Sequence, residues 1–181
     1  MFRLYTFLLI LLLLLPFFCN AQKSLYVKNR LTIDVAYMRM NYGMLPEYKE
    51  KKNGVLLSAN YGVTKFLESG LYYYKYNSAF NSLDFTGIQN RLHILPFFIE
   101  TNNKSFRLDA YLFNRTGMVI FKYSGNHYEM NYNSDFGIGT AFYLLKHVGV
   151  RFDYKWGFIL SKQVDNHNFQ NGFSLGLSLK F

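Results

Sequence analysis

From residue 169 to residue 181 the chain changes character at almost every step. Phe169, Phe173, Leu175, Leu177, Leu179 and Phe181 share one parity, and Gln170, Gly172, Ser174, Gly176, Ser178 and Lys180 share the other. Successive side chains of a strand point to opposite faces, so this segment has one apolar and one polar face. A helix would set Leu175 and Leu177 about 200° apart and mix the two characters. The segment is predicted to be a β-strand ending on Phe181.

The same period recurs upstream. Leu31, Ile33, Val35 and Tyr37 alternate with Thr32, Asp34 and Ala36, and Val55, Leu57, Ala59, Tyr61 and Val63 with Ser58, Asn60, Gly62 and Thr64. Leu67, Leu71 and Tyr73 oppose Glu68, Gly70, Tyr72 and Tyr74, and Leu92, Ile94, Pro96 and Phe98 oppose Arg91 and His93. Phe106, Leu108, Ala110 and Leu112 oppose Arg107, Asp109, Tyr111 and Arg115, with Thr116 to Tyr123 an extension that alternates poorly. Phe136, Ile138, Thr140, Phe142 and Leu144 oppose Asp135, Gly137, Gly139, Ala141 and Tyr143. Val148, Val150, Phe152, Tyr154 and Trp156 oppose Gly149, Arg151, Asp153, Lys155 and Gly157. With the terminal segment this gives eight strands. Several exceed the five or six residues usual in soluble strands and match the roughly nine to eleven of a tilted membrane-crossing strand.

Connection lengths point to closure. Those after the second, fourth and sixth strands read as tight, around Thr64–Phe66, Glu100–Lys104 and Leu145–His147. Those after the first, third, fifth and seventh read as long and polar, at Asn41–Asn53, Asn77–Gly87, Ser124–Asn133 and Ser161–Asn168. Short turns on a periplasmic rim and long loops on an extracellular rim are expected of an outer-membrane barrel, and an even strand number returns both ends to one side.

The first residues have a different character. Met1-Phe2-Arg3 is short and basic, Leu4 to Phe18 is almost purely apolar, and Cys19-Asn20-Ala21 precedes the polar Gln22-Lys23-Ser24. This is the pattern of an export signal cleaved between Ala21 and Gln22, giving a signal over 1–21 and a barrel over 22–181. The apolar run is short for a spanning helix, which needs about twenty residues. Lipidation at Cys19 is disfavoured by Phe17 and Phe18, since a small residue normally precedes a lipidated cysteine. Cys19 is the sole cysteine. Cleavage would leave none, and would exclude disulfides, thiol catalysis and cysteine-based zinc sites.

Half of the 181 residues are hydrophobic and 20% are aromatic, yet mean hydropathy is −0.03, too polar for a bundle of membrane helices. The formal charge of +9 is spread along the chain, apart from Tyr48-Lys49-Glu50-Lys51-Lys52, which reads as a solvated loop rather than a nucleic-acid patch. Alternation alone does not say which face is inside. The polar face carries Asp34, Glu68, Arg91, Arg107, Asp109, Arg115, Arg151, Asp153 and Lys155, both signs spread over many strands. Around a small closed lumen such charges pair with one another, and the signal, strand lengths and aromatic load favour lipid outside. The lipid-facing aromatics are then Tyr61, Tyr73, Phe98, Phe106, Phe142, Trp156 and Phe173. Pro96, which cannot donate to a ladder, is placed near the periplasmic end of its strand.

With Gly172-Phe173-Ser174-Leu175-Gly176-Leu177-Ser178-Leu179-Lys180-Phe181, the strand–turn–strand unit Tyr61 to Gly70, and the unit running from Phe136-Gly137-Ile138-Gly139 to His147-Val148-Gly149-Val150, the chain resembles the small OmpX/OmpA-like outer-membrane β-barrel proteins of Gram-negative bacteria. The resemblance covers about residues 25 to 181 and rests on pattern rather than on invariant motifs. It implies an eight-stranded antiparallel up-and-down transmembrane barrel in the outer membrane, exported through the periplasm. It also implies that Leu175, Leu177, Leu179 and Phe181 serve as the signal read by the barrel-assembly machinery.

No catalytic constellation stands out. His93, His127, His147 and His167 fall at no metal-ligand spacing, and no HExxH is present. His127-Tyr128-Glu129, with Ser124 and Ser134 nearby, is the closest local cluster to a lipid A acyl hydrolase or transferase, but lacks the His-x-Ser arrangement of the deacylases. Gly137, Gly139, Gly172 and Gly176 open no helix and form no phosphate loop. They read as space-makers on a tightly curved wall. Neither cofactor nor metal is expected, and nucleic acid is not a partner. Outer-membrane lipid is the expected neighbour, and a surface or periplasmic protein partner is compatible. The expectation is a non-enzymatic structural or interaction barrel with a side-chain-filled lumen. The alternatives are a narrow, porin-like channel for small solutes and a lipid A-modifying enzyme.

Overall fold

A computed structural model describes residues 27–42, 50–77, 81–98, 108–123, 128–145, 147–160 and 168–181. Eight strands form: β1 Leu31–Tyr42, β2 Glu50–Gly62, β3 Leu67–Asn77, β4 Asn81–His93, β5 Leu108–Tyr123, β6 Tyr128–Tyr143, β7 Val148–Leu160 and β8 Asn168–Lys180. Each pairs antiparallel with the next, and β8 pairs with β1 to close the barrel. The closing seam continues past β8, where Phe181 N–H donates to the Leu31 carbonyl at 2.9 Å and Leu31 N–H to the Phe181 carbonyl at 3.2 Å. Closure leaves no unpaired edge, the condition for crossing a bilayer with strands.

The register fixes the tilt. A row of directly opposed residues starting at Leu31 passes through Tyr61, Ser69, Asn90, Asn114, Phe136, Trp156 and Asn171, then re-enters β1 at Asn41. The circuit ends ten residues further along β1 (41 minus 31). A stagger of this size inclines the strands steeply to the barrel axis.

Parity places the faces as the alternation requires. Asp34, Glu68, Arg91, Asp109, Arg151 and Gln170 are buried inside, while Leu71 is 68% exposed and Leu175 52% exposed outside. Exposed Ile33, Val35, Leu57, Leu112, Ile138, Phe142, Val150 and Leu177 complete an apolar band that encircles the wall. Monomers in water do not carry contiguous apolar surface on this scale. A barrel spanning hydrocarbon does. Tyr61, Tyr73, Phe142, Trp156 and Phe173 are on the outer face of their strands.

Inner-face glycines take part in packing. Tyr111 stands opposite Gly139 and Phe113 opposite Gly137. A methyl group at either glycine would collide with the ring across from it, so these positions admit large aromatics into a narrow lumen. Gly62 has a different role. Val27 is fully buried against the β2–β3 turn, and a side chain at Gly62 would meet the Val27 carbonyl.

Several expectations are corrected. The fourth strand does not run through Leu92–Phe98. It ends at His93, and Leu95–Phe97 form a 3-10 turn with Pro96 buried in it. Proline supplies no ladder donor, so it suits the turn and not the strand. Phe98 therefore leaves the wall, while Phe97 stacks on Phe66 at 4.1 Å between ring centres. Much of the supposed loops is strand. Residues 82–87 belong to β4, 128–133 to β6, and Glu50–Lys52 to β2. The expected alternation of short and long connections fails with them. The connection from β3 to β4 takes in only residues 78–80, whereas that from β4 to β5 takes in 94–107, on the rim that carries the chain ends. The physical reason is an inversion near the far rim. There the inner face turns apolar and parts of the outer face turn polar, so polarity no longer separates loop from strand. The weakly alternating Thr116–Tyr123 continues β5 with Val119 and Phe121 inside and Met118 outside. Phe106 and Arg107, the proposed cleavage site Ala21/Gln22, Cys19, His127 and His167 lie outside the described residues.

Candidate functional site

Among the described residues, the lumen gathers chemically active side chains from every strand. Its half nearer the chain ends holds a charged network. Asp34 on β1 sits between two guanidiniums, with Arg91 Nη2 at 2.5 Å and Arg151 Nη1 at 2.7 Å, and accepts a hydrogen bond from Ser58 Oγ at 2.7 Å. Asp153 takes Arg115 Nη2 at 3.0 Å, pairs with Arg151, and accepts from Tyr111 OH at 2.6 Å and Ser174 Oγ at 3.1 Å. Glu68 accepts from Thr32 Oγ1 at 2.8 Å and lies 3.6 Å from Arg91 Nη1. Nearer the terminal rim, His93 Nδ1 and Lys180 Nζ approach Asp109 at 2.9 and 3.2 Å. Toward the middle, Asp135 receives Lys155 Nζ at 2.8 Å, Tyr74 OH at 2.6 Å and Gln170 Nε2 at 2.8 Å.

Among the described residues of this half of the lumen, five carboxylates, Asp34, Glu68, Asp109, Asp135 and Asp153, meet five cations, Arg91, Arg115, Arg151, Lys155 and Lys180, with His93 beside Glu68 and Asp109. All ten are nearly inaccessible to solvent. An isolated charge in such a place would be costly, and pairing with added hydrogen bonds offsets that cost. Aromatic rings pack against the cations: Lys155 Nζ lies 4.4 Å from the Tyr74 ring centre, and the Arg115 guanidinium 4.3 Å from that of Phe113. Arg115 also donates through Nε to Gln89.

Above this network, toward the far rim, the lumen becomes apolar. Met38, Met40, Leu56, Tyr76, Leu83, Phe85, Val119, Phe121 and Ile159 form one buried cluster that joins the charged layer through Tyr72 and Tyr74. Tyr74 stacks on Phe85 at 4.2 Å between ring centres, and Tyr76 meets Phe85 edge-on at 5.8 Å. The Tyr76 hydroxyl donates to Met38 Sδ at 3.7 Å. Interdigitated aromatic and methionine side chains leave this layer almost inaccessible to solvent.

Of the nine charges singled out in the sequence, Asp34, Glu68, Arg91, Asp109, Arg115, Arg151, Asp153 and Lys155 stand in this lumen, and Arg107 lies outside the described residues. Sequence reasoning missed Asp135, His93 and Lys180 as members, although each sits on the polar phase of its strand. It also missed the apolar layer, because Met38, Met40, Val119 and Ile159 look like outward residues when apolar is equated with lipid-facing. His147 Nδ1 lies 2.6 Å from the Lys180 carbonyl. Among the described residues no group of three or more His, Cys, Asp or Glu is arranged to hold a metal ion. Leu175, Leu177 and Leu179 line the outer face of β8, with Phe181 just beyond it.

No protein-family model matches the sequence, and no curated protein is significantly similar to it. Solved structures are similar in fold. The N-terminal β-barrel domain of Pseudomonas aeruginosa OprF aligns with TM-score 0.59 and 15% identity over 85% of this chain and 98% of that one. Neisserial surface protein A aligns with TM-score 0.62 and 14% identity over 84% and 96%. A transmembrane β-barrel designed de novo aligns with TM-score 0.55 and 15% identity over 85% and 97%. The chain thus has the eight-stranded barrel fold of small outer-membrane proteins. A designed barrel matches about as well as natural ones, so the likeness carries architecture and not activity.

Proposed function

We propose that the protein is an outer-membrane barrel with a closed lumen, acting as a structural or surface-interaction element rather than as a solute channel or enzyme. The observation that carries this reading is the two-layer filling of the lumen, a buried ion-pair network beneath a solvent-excluded aromatic and methionine layer. An eight-stranded barrel is just wide enough for side chains to fill. Here the charged groups turn toward one another and leave no ring of one sign for a permeating ion. The same engagement argues against catalysis in the charged network, where each of the five carboxylates already faces a cation.

In this reading the chain ends are periplasmic and the far rim is extracellular. Outer-membrane lipid surrounds the apolar band. The outward row Leu175, Leu177, Leu179 and Phe181 engages the barrel-assembly machinery during insertion, and residues 1–21 direct export. The test is fractionation with vesicle permeability. The protein is expected in outer-membrane fractions, with faster gel migration when unheated. Proteoliposomes carrying it should swell in small sugars no faster than empty ones. Rapid swelling, with folding shown by the mobility shift, would replace this reading with the channel.

A further inference from the structure

We propose that the wall formed by β4, β5 and β6 is a lateral interface for a second copy of this barrel within the membrane. The inference rests on the membrane reading above. Two independent features mark this wall.

The first is polar and lies at mid-depth. Asn90 on β4 and Asn114 on β5 stand directly opposite one another, both on the outer face. They occupy the third and fourth steps of the eight-step register row that climbs from Leu31 at one rim to Asn41 at the other, which places them about halfway up the wall. Leu92 and Ile88 along β4 and Leu112 along β5 are apolar, while Ser69 opposite Asn90 and Thr116 beside Asn114 extend the polar spot. The Asn114 carboxamide donates a hydrogen bond to Thr116 Oγ1 at 3.3 Å, and the Asn90 carboxamide has no side-chain partner among the described residues. In hydrocarbon, polar groups unsatisfied in this way are costly, and inter-segment hydrogen bonds between side chains relieve them.

The second feature is apolar and lies toward the far rim. On β3 and β4 the outer face turns charged at the opposed pair Lys75 and Asp84. The same row continues onto β5 and β6 as Ile120 and Met130. Because the row climbs toward β6, Met130 stands higher than Lys75 and still faces outward, 56% exposed, beside Met118 at 48% and Tyr132 at 46%. Strands β5 and β6 are the longest, 16 residues each, so an apolar flank rises beside a wall that has become hydrophilic on its β3–β4 side, where Lys122 of β5 pairs with Asp84, and runs on into exposed Leu160 of β7 and Phe169 of β8 on the other. Exposed apolar surface outside the bilayer calls for a cover.

A second copy supplies both. A carboxamide carries donors and an acceptor, so a two-fold axis running between Asn90 and Asn114 sets Asn90 of each copy against Asn114 of the other. The projecting flanks then bury each other. Such a contact is isologous and closes on itself. A headgroup does not reach mid-depth, and an unrelated partner would have to match both features.

The test uses chains made cysteine-free by replacing Cys19 where it is retained, inserted in lipid vesicles, with insertion verified first by heat-modifiable mobility. Failure to insert would fault the membrane reading, and monomers after insertion would fault this one. An equimolar mixture of Asn90→Cys and Asn114→Cys chains is expected to form oxidative dimers at least about tenfold faster than a Leu175→Cys chain, whose thiol lies on the opposite wall. Energy transfer between labelled copies should persist on lipid dilution for the unmodified chain. It should weaken by roughly tenfold or more in an Asn90→Leu/Asn114→Leu chain, which keeps the wall apolar and the barrel folded. Equal cross-linking at the two walls, or unchanged transfer in the leucine chain, would overturn the proposal. So would cross-linking of the Asn114→Cys chain in native outer membranes to a different protein alone.

Discussion

Asp34 shows what a single lumenal residue does. Its carboxylate faces both Arg91 and Arg151 with almost no solvent contact. Removing it leaves two guanidiniums short of a counter-charge, and breaking a buried pair from one side typically costs about 3–5 kcal/mol. Asp34→Ala is therefore expected to lower the urea midpoint of barrel unfolding by an amount equivalent to that range. An unchanged midpoint would mean that the network is solvated and contributes little. The residue was legible as lumenal because its parity in β1 is opposite to that of Ile33 and Val35. Arg91 and Arg151 were legible as candidate partners among the polar-face arginines, but which of those arginines meets Asp34 was not. Arg91 and Arg151 come from β4 and β7, and only closure of the sheet brings them across the lumen. Asp135, Lys180 and His93 escaped for the same reason, their significance being set by residues far away in the chain.

At the scale of the strand, period two was readable wherever one face met lipid and the other met charge. The terminal strand, β7 and the lower parts of β1 and β6 followed from it. The signal was lost where both faces had the same character, as along Met118–Phe121, and inverted where Met38 and Met40 point inward while Arg39 points out. Strand ends toward the far rim were therefore misread as loops. On β2 the inversion falls between Val55 and Asn53, which in the proposed membrane reading marks the edge of the hydrocarbon. An arginine costs about 2–4 kcal/mol at the bilayer midplane and about 0–1 kcal/mol near its interfaces. Leu175→Arg should lose stability in the first range and Asn53→Arg in the second, measured by denaturant titration in lipid. Equal losses at the two positions would mean that the apolar band is placed wrongly along the strands.

For the whole molecule, number of strands, antiparallel order and the identity of the inner face were legible from the sequence, because a closed barrel repeats one rule eight times. The state of the lumen was only half legible. Charges of both signs pointed to a paired network, but the apolar layer above it depends on Tyr74, Tyr76, Phe85 and Phe121 converging from three strands into one buried cluster. The two layers together make the central claim, that this barrel is closed. Single-channel recording in planar bilayers, with purified protein whose folding is shown by heat-modifiable mobility, tests it most directly. The account predicts a quiet baseline with at most rare, small and irregular events. Steady, large and uniform conductance steps would contradict it.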